Sequence, residues 1–581
     1  MRTVLSRVKF NRKQIITMIV FVMISSILQM VPSALISVMI DEGIAQSDTQ
    51  LIIIMAVGII AVALICCITN IVASNLSAKL TANFSKDVRT EIFHKVQDFS
   101  AVEIDKLGSA SLVTRCTTDV TTIQNLISMF FRVGLMAPTM AIAGLILAVA
   151  TAGNVAVVLA VAVPILIIGV TLLLVASSRY SVKLREKIDD INQLFLEALE
   201  GVRVIRAFNK QEHEIDRFGE TNDESANISR KSITISGAML PTANGLFGLT
   251  SVAAMIVGTA LVIKGSLDVG VLVSATSYIT MILVGIILMA NVVSLFPDGY
   301  ACMNRIGEVL DTEVNIKDSD KDTPKKTCKG TVEFRDVTFA YPGADEPVIK
   351  GVSFISKPGE TTAIIGRTGS GKSSVVKLIP RLYDTLFGDV YVDGVNVKDY
   401  KLDELRDLIG YVPQKNVLFS GDIADNLNFG NENGSDEDWN EACDIACASE
   451  FVESKDGMYH AEVSQGGTNF SGGQRQRLAI ARAVMKKAEV YIFDDSFSAL
   501  DMKTDKTLRQ NLKNNMGEAT MIVVAQRVNT IIDATRILVV EDGEVVGMGT
   551  HKELLKSCEL YREIAEIQLG KEEVENELQS A

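Results

Sequence analysis

The sequence predicts a multi-domain protein: an all-α six-helix transmembrane domain followed by an α/β domain built around a phosphate-binding loop. Length is the first reason, since 581 residues exceed one ordinary domain. Uneven composition is the second. Hydrophobic residues make up 48 % and charged residues 22 %, but long apolar runs are confined to roughly the first 300 positions. The third is the stretch Gly366-Arg367-Thr368-Gly369-Ser370-Gly371-Lys372-Ser373-Ser374, which follows the apolar run 362–365 and precedes the apolar run 375–379. Strand, glycine-rich turn and helix in that order are what a phosphate-binding loop requires.

The six runs lie near 15–40, 51–74, 127–150, 154–176, 235–263 and 271–296. Each supplies the stretch of about 20 apolar residues that crosses hydrocarbon. They are too long, and too nearly free of Asp, Glu, Lys and Arg, for buried helices of a soluble protein. Ion-coupled transporters place such groups in the membrane, so the spans argue against ion coupling and against a strongly charged substrate. Gln29, Asn70, Asn244 and Asn291 either line a cavity or make helix contacts. Pro32, Pro138, Pro164 and Pro241 are candidate kinks.

Loop charges orient the chain. Arg2, Arg7, Lys9, Arg12 and Lys13 precede the first run, placing the N-terminus in the cytoplasm, where this basic start is also expected to lie along the membrane surface as a short helix. The loop 41–50 has no Lys or Arg and is read as outside. The two segments after the second and fourth runs are basic and inside; each is roughly 50 residues, proline-free and apolar at helical spacing. Their tips, near 106–112 and 209–217, are candidates for contacts that transmit force. Six spans return the chain to the cytoplasm of a cell-membrane protein.

The domain boundaries read as 1–316 for the transmembrane domain with its long helical extensions, 317–329 for a polar linker, 330–570 for the α/β domain and 571–581 for an acidic tail, a frayed helix. The net charge of -14 carries no basic tract, so nucleic acid is not an expected partner. The eight cysteines lack zinc-ligand spacing and read as reduced thiols, with Cys443 and Cys447 spaced for one helix face. The first apolar run is too long for a cleaved signal peptide.

In the second domain, the loop glycines let backbone N–H groups curl around a phosphate, and the following helix adds its positive end. Lys372 is placed to reach the β- and γ-phosphates, and the Ser373 hydroxyl to ligate Mg2+. The strand 490–494 ends in Asp494, the carboxylate such sites use for Mg2+. Tyr341, before Pro342-Gly343, is either an adenine-stacking aromatic or an ordinary turn residue. Asn469-Phe470-Ser471-Gly472-Gly473-Gln474-Arg475-Gln476-Arg477 opens another helix and makes a second phosphate-binding surface, about a hundred residues beyond the first.

That combination resembles an ATP-binding-cassette ATPase, and with six spans in front nearly the whole chain resembles a half-size ABC exporter. The resemblance implies an α/β P-loop ATPase domain of the ABC-cassette kind, with ATP and Mg2+ as cofactors. It implies that Tyr341 stacks on adenine and that Gln414, in Tyr411-Val412-Pro413-Gln414, senses Mg2+ and the membrane domain. It implies that Asp501, in Ser498-Ala499-Leu500-Asp501, sits in the loop that crosses to a partner cassette. ATP would lie between the phosphate loop of one chain and Ser471, Gly472, Gly473 and Gln474 of the other.

Two positions depart from the family. Asp495 stands where a glutamate polarises the attacking water, and Gln526 where a histidine contacts the γ-phosphate. A side chain one methylene shorter withdraws by ~1.5 Å, and small misplacements near the chemistry cost about a hundredfold. Glutamine hydrogen-bonds but cannot become a cation. The segment Ser464-Gln465-Gly466-Gly467 is also less charged than in many exporters. Both losses fall on one ATP site while the Ser-Gly-Gly-Gln surface is intact. The expectation is a degenerate-site subunit of a heterodimeric bacterial multidrug-type exporter, whose signature completes the hydrolytic site of a second half-transporter bearing the Glu and His. A hydrophobic or amphipathic substrate and the lipid bilayer complete the expected partners. The alternatives are a homodimeric lipid or peptide exporter with slow hydrolysis, and an ATP-binding regulatory subunit that does not pump.

Overall fold

The computed structural model describes residues 11–153, 156–319, 322–324 and 326–580. Arg2, Arg7 and Lys9, and most of the expected surface helix, lie outside the described residues. The chain forms two compact units. One holds the residues up to Asp98 and Leu107–Thr312; the other holds Phe99–Lys106 and everything from Glu313 onward.

The first unit is all helical. Six of its helices are long and apolar enough to cross a membrane: Arg12–Ile44, Thr49–Gln97, Ser109–Ala152, Val161–Glu200, Gln211–Ile263 and Val269–Asp311. Their outward faces are apolar. Along Thr49–Gln97, Ile53, Val57, Ile60, Leu64 and Ile68 are all exposed, as suits a surface solvated by lipid rather than water. Small residues set the close approaches between helices. A Cβ added at Gly285 would meet the Ala137 carbonyl oxygen at 2.8 Å, and one at Gly258 would run into Leu272. Pro138, Pro164 and Pro241 lie inside helices, and Pro32 opens the helix Val31–Val38 after the break at Gln29.

Two details differ from the sequence reading. Arg132 falls inside the run drawn from 127, on the π-helical turn Phe130–Gly134, so the uninterrupted apolar stretch begins only at Val133. The second tip is the short helix Val202–Ala207, flanked by Gly201 and by Asn209 at φ 55°, and the long helix Gln211–Ile263 has already begun where the tip was expected. Asn209 takes the left-handed backbone turn there, a conformation Asn tolerates better than most residues.

An ion-pair cluster ties two of these helices. Asp119 is 2 % exposed and accepts from Arg305 Nε and Nη2 at 2.7 and 2.6 Å, while Arg115 bonds the Arg305 carbonyl and pairs with Glu308 at 2.8 Å. A buried carboxylate bridged by both arms of a guanidinium is a strong contact. Asp119→Ala should cost about 1.5–3 kcal/mol, the range for hydrogen bonds to charged groups. Glu308→Ala, at an exposed partner, should cost under about 1 kcal/mol. Thermal melting of the two purified variants checks the contrast.

The second unit is α/β. Its main sheet runs in the order Glu544–Gly549, Arg536–Glu541, Thr361–Gly366, Thr520–Val524, Val490–Asp494, Ile409–Val412. The five strands from Arg536–Glu541 onward are mutually parallel; Glu544–Gly549 is an antiparallel edge. Parallel strands are buried on both faces and read as continuous apolar runs. Thus Ile365, Met521, Val523, Tyr491 and Phe493 enter one core, while Ile364, Ile522, Val524, Val490 and Ile492 enter the other. A second, antiparallel sheet orders Ile349–Ser356, Val332–Phe339, Phe387–Val392 and Val395–Asn396.

The polar segment after the last long helix is anchored in this unit. Ile316 is buried, Asp318 caps the amide of Leu402 at 2.6 Å, and Arg381 reaches the Lys317 carbonyl. The acidic tail is a packed helix rather than a frayed one: Lys571–Ser580 buries Val574 and sets Glu577 against His551. Cys443 is buried on the helix Asp436–Ile445, and Cys447 lies past its end at φ 54°.

Candidate active site

The carboxyl ends of four adjacent parallel strands deliver the site, the place where open α/β sheets hold their ligands. Thr361–Gly366 leads into the phosphate loop, Thr520–Val524 into Gln526, Val490–Asp494 into Asp495, and Ile409–Val412 into Gln414. Register brings Val524 beside both Ile364 and Asp494.

Glycine is required at two points of the loop. Gly371 sits at φ 95°, and a Cβ there would meet the Val348 carbonyl at 2.8 Å. At Gly366 a Cβ would collide with the carbonyl of Val540 on the neighbouring strand. Lys372 opens the helix Lys372–Leu378 and folds its ammonium back onto the carbonyls of Gly366 and Arg367 at 2.8 and 2.7 Å. Burial lowers its pKa, and Asp495 and Asp494 oppose that shift. Among the described residues, Ser370 Oγ of the same loop is buried without a hydrogen-bond partner. A buried hydroxyl left unmatched in a phosphate cradle fits a group that would contact phosphate oxygen.

Ser373 Oγ donates to Asp494 Oδ1 at 2.7 Å. Asp494 is 1 % exposed, and its burial raises the carboxyl pKa against the hydrogen bond from Ser373. Tyr341 lies at the far end of the loop, its hydroxyl 2.9 Å from Ser374 Oγ and its ring edge-on to Phe339 and Tyr383.

The two divergent positions meet each other. Gln526 Nε2 donates to Asp495 Oδ2 at 3.0 Å, and Gln414 lies near enough to that carboxylate to lower its pKa. Burial raises the Asp495 pKa, while Gln414, Lys372, Arg527 and Gln526 pull the other way. Asp495 sits at φ 49°, a left-handed conformation that Asp tolerates better than most residues.

Ser471 caps the helix Gly472–Met485. Its Oγ accepts from the Gln474 amide at 3.3 Å, and Gln474 Oε1 accepts from the Ser471 amide at 3.0 Å. The capping box leaves the exposed helix start, with Gly472 and Gly473, open to an anion. Asp501 caps the helix Met502–Asn515 through the amides of Lys503 and Thr504. Tyr341, the phosphate loop, Gln414, Asp494, Asp495 and Gln526 therefore converge. Among the described residues, no hydrogen bond joins Ser471, Gly472, Gly473, Gln474 or Asp501 to that loop.

Gln476 went unassigned from sequence, and it is the link. Its Nε2 donates to the Asp495 carbonyl at 3.3 Å and its Oε1 accepts from the Ala499 amide at 3.1 Å. It is 3 % exposed although glutamine is normally a surface residue, and burial of that kind has no single-sequence signal. Residues Phe99–Lys106 also belong to this unit, where Tyr383 Oη donates to Asp105 Oδ2 at 2.9 Å and Glu103 accepts from the Asn315 amide.

Residues 15–287 match the ABC transporter transmembrane region and residues 349–498 match the ABC transporter family. An uncharacterized ABC transporter ATP-binding protein of Mycobacterium tuberculosis is 38% identical over 530 residues, covering 90% of this chain and 91% of its own length. The uncharacterized ABC transporter ATP-binding protein YfiB of Bacillus subtilis is 34% identical, covering 93% of each chain. An ATP-dependent lipid A-core flippase of Mannheimia succiniciproducens is 30% identical over 92% of each. The solved structure of a bacterial Atm1-family ABC exporter with ATP bound superposes with a TM-score of 0.78 at 21% identity, over 95% of this chain and 97% of that one. The chain belongs to the ABC transporter family. It is a multi-pass membrane protein carrying its own ABC transporter ATPase domain, with an ABC exporter fold.

Proposed function

We propose that this chain is one half of a heterodimeric exporter, that its own ATP site is degenerate, and that its signature completes the hydrolytic site of a partner bearing Glu and His. The observation that carries this is the Gln526–Asp495 hydrogen bond. A general base must be free to take a proton from water. Here the shortened carboxylate is tied by a neutral amide, that of Gln526. The site grips nucleotide through Lys372, Ser370 and the loop amides, yet presents a retracted, occupied base.

The oxygen set of Ser373, Gln414 and Asp494 suits a hard cation such as Mg2+. Bound there, the ion would neutralise charge on the β- and γ-phosphates. The N-terminus and cassette face the cytoplasm in this reading, where ATP is available. The apolar spans favour a hydrophobic or amphipathic substrate moved outward, and relatives that include a lipid A-core flippase agree with a lipid-like cargo.

One observation favours a homodimer with slow hydrolysis. Burial raises the Asp495 carboxyl pKa, which is the direction that strengthens a base. The test is to purify the chain from its native membrane, identify what co-elutes by mass spectrometry, and assay Mg-ATP turnover of the chain alone and in the complex. A second half-transporter carrying Glu and His, with turnover appearing only in the complex, is the expected result. Brisk turnover by a symmetric pair overturns it.

A further inference from the structure

We propose that Gln568, on the C-terminal helix Glu559–Leu569, is a positioning residue of the ATP site. Its side-chain amide makes two bonds into the segment after the strand Thr520–Val524. Nε2 donates to the Gln526 carbonyl at 2.7 Å, and Oε1 accepts from the Val528 amide at 2.7 Å. Val528 opens the short helix Val528–Ile531, and no side chain at its own N-cap, Arg527, serves that end. Its amide is thus one of the donors a helix start leaves unmatched, and Val528 is 0 % exposed, so with Gln568 in place its acceptor is this side chain rather than water. Gln568 caps this helix from another element and fixes the backbone on both sides of Arg527.

What it fixes matters because Gln526 is the residue whose amide holds Asp495. A shift of the Gln526 carbonyl moves that amide as well. The same helix reaches the phosphate loop, where Glu563 pairs with Arg367 at 2.8 Å. It is itself held from below: Tyr561 is fully buried with its hydroxyl 2.7 Å from His551 Nδ1, and His551 Nε2 meets Glu577 of the last helix. The C-terminal helices therefore form a brace whose working end is Gln568, and Gln568 sets how the site senses the terminal phosphate.

This inference rests on Gln526 facing the γ-phosphate of nucleotide on the phosphate loop; it does not depend on a partner or on slow hydrolysis. The experiment compares binding of the non-hydrolysable analogue AMP-PNP and of ADP, each with Mg2+, by calorimetry on the full-length chain in lipid nanodiscs. Gln568→Leu should weaken AMP-PNP about fivefold, the scale of one or two modest hydrogen bonds, and leave ADP within about twofold. In a Gln526→Ala background the same substitution should not change the AMP-PNP to ADP ratio further. Ile567→Gln, at an exposed neighbour, is the control with an unchanged ratio. Equal weakening of both nucleotides, or an equal ratio change with Gln526 already removed, overturns the proposal. Should Gln568→Leu fail to fold, Gln568→Glu keeps the acceptor for Val528, loses the donor to Gln526, and decides by the same ratio. AMP-PNP is not turned over, so this result is separate from the hydrolysis assay that tests the degenerate site.

Discussion

Asp495→Glu combined with Gln526→His should raise Mg-ATP turnover at this chain's own site by about 10²–10³-fold. A positioned general base contributes roughly 10²–10⁴-fold, and part of that is already present in a buried aspartate whose pKa is raised. The combination is needed because the defects are joined. With Asp495→Glu alone, Gln526 remains free to hold the new carboxylate as it holds the present one at 3.0 Å. With Gln526→His alone, the carboxylate stays too short by ~1.5 Å. The double variant should therefore exceed the product of the two single effects, the mark of groups acting on one site. Backbone strain works against the gain, since position 495 sits at φ 49°, where a glutamate is less at ease than an aspartate. Thermal melting of each variant separates that strain from catalysis. Unchanged turnover in a folded double variant removes the case that these two residues make the site slow.

Much of this site was legible because its motifs are local. The strand–loop–helix unit from Thr361 to Leu378 carries its own instructions: apolar strand, glycines where a Cβ would strike Val348 or Val540, then a helix. The acid-ended strand Val490–Asp494 is likewise self-announcing. What the sequence hid is contact between distant segments. Nothing in the neighbourhood of Gln476 or Gln568 signals that these amides bind the Asp495 and Gln526 segments, because bridging side chains have no periodicity. The second helical tip was misplaced for a related reason. The left-handed turn at Asn209, rather than the end of an apolar pattern, marks where the long helix Gln211–Ile263 begins. The tail was read as frayed because its charges dominate its composition, yet Val574 supplies the buried face and Glu577 finds His551.

In the purified complex of this chain with the proposed second half-transporter, Ser471→Ala should lower Mg-ATP turnover by about 10²-fold while Lys372→Ala leaves it within about threefold. The loss at Ser471 is of the size seen when one oriented donor is removed from developing charge. The two residues serve different ATP molecules in the proposed arrangement. Lys372 belongs to the loop beside Asp495 and Gln526, the site proposed to hydrolyse slowly, so its loss takes little from total turnover. Ser471 caps the exposed start of the helix Gly472–Met485; among the described residues no hydrogen bond joins it to that loop, and in the proposed arrangement it faces the second cassette. Losing the Ser471 cap costs about 1 kcal/mol of helix stability. Ser471→Asn retains a competent cap while displacing the hydroxyl, and so distinguishes a destabilised helix from a lost phosphate contact. If Lys372→Ala and Ser471→Ala depress turnover equally, both sites hydrolyse and the asymmetry inferred from Asp495 and Gln526 is wrong. If Lys372→Ala alone abolishes it, the competent site is this chain's own, and the retracted carboxylate at Asp495 is a sufficient base after all.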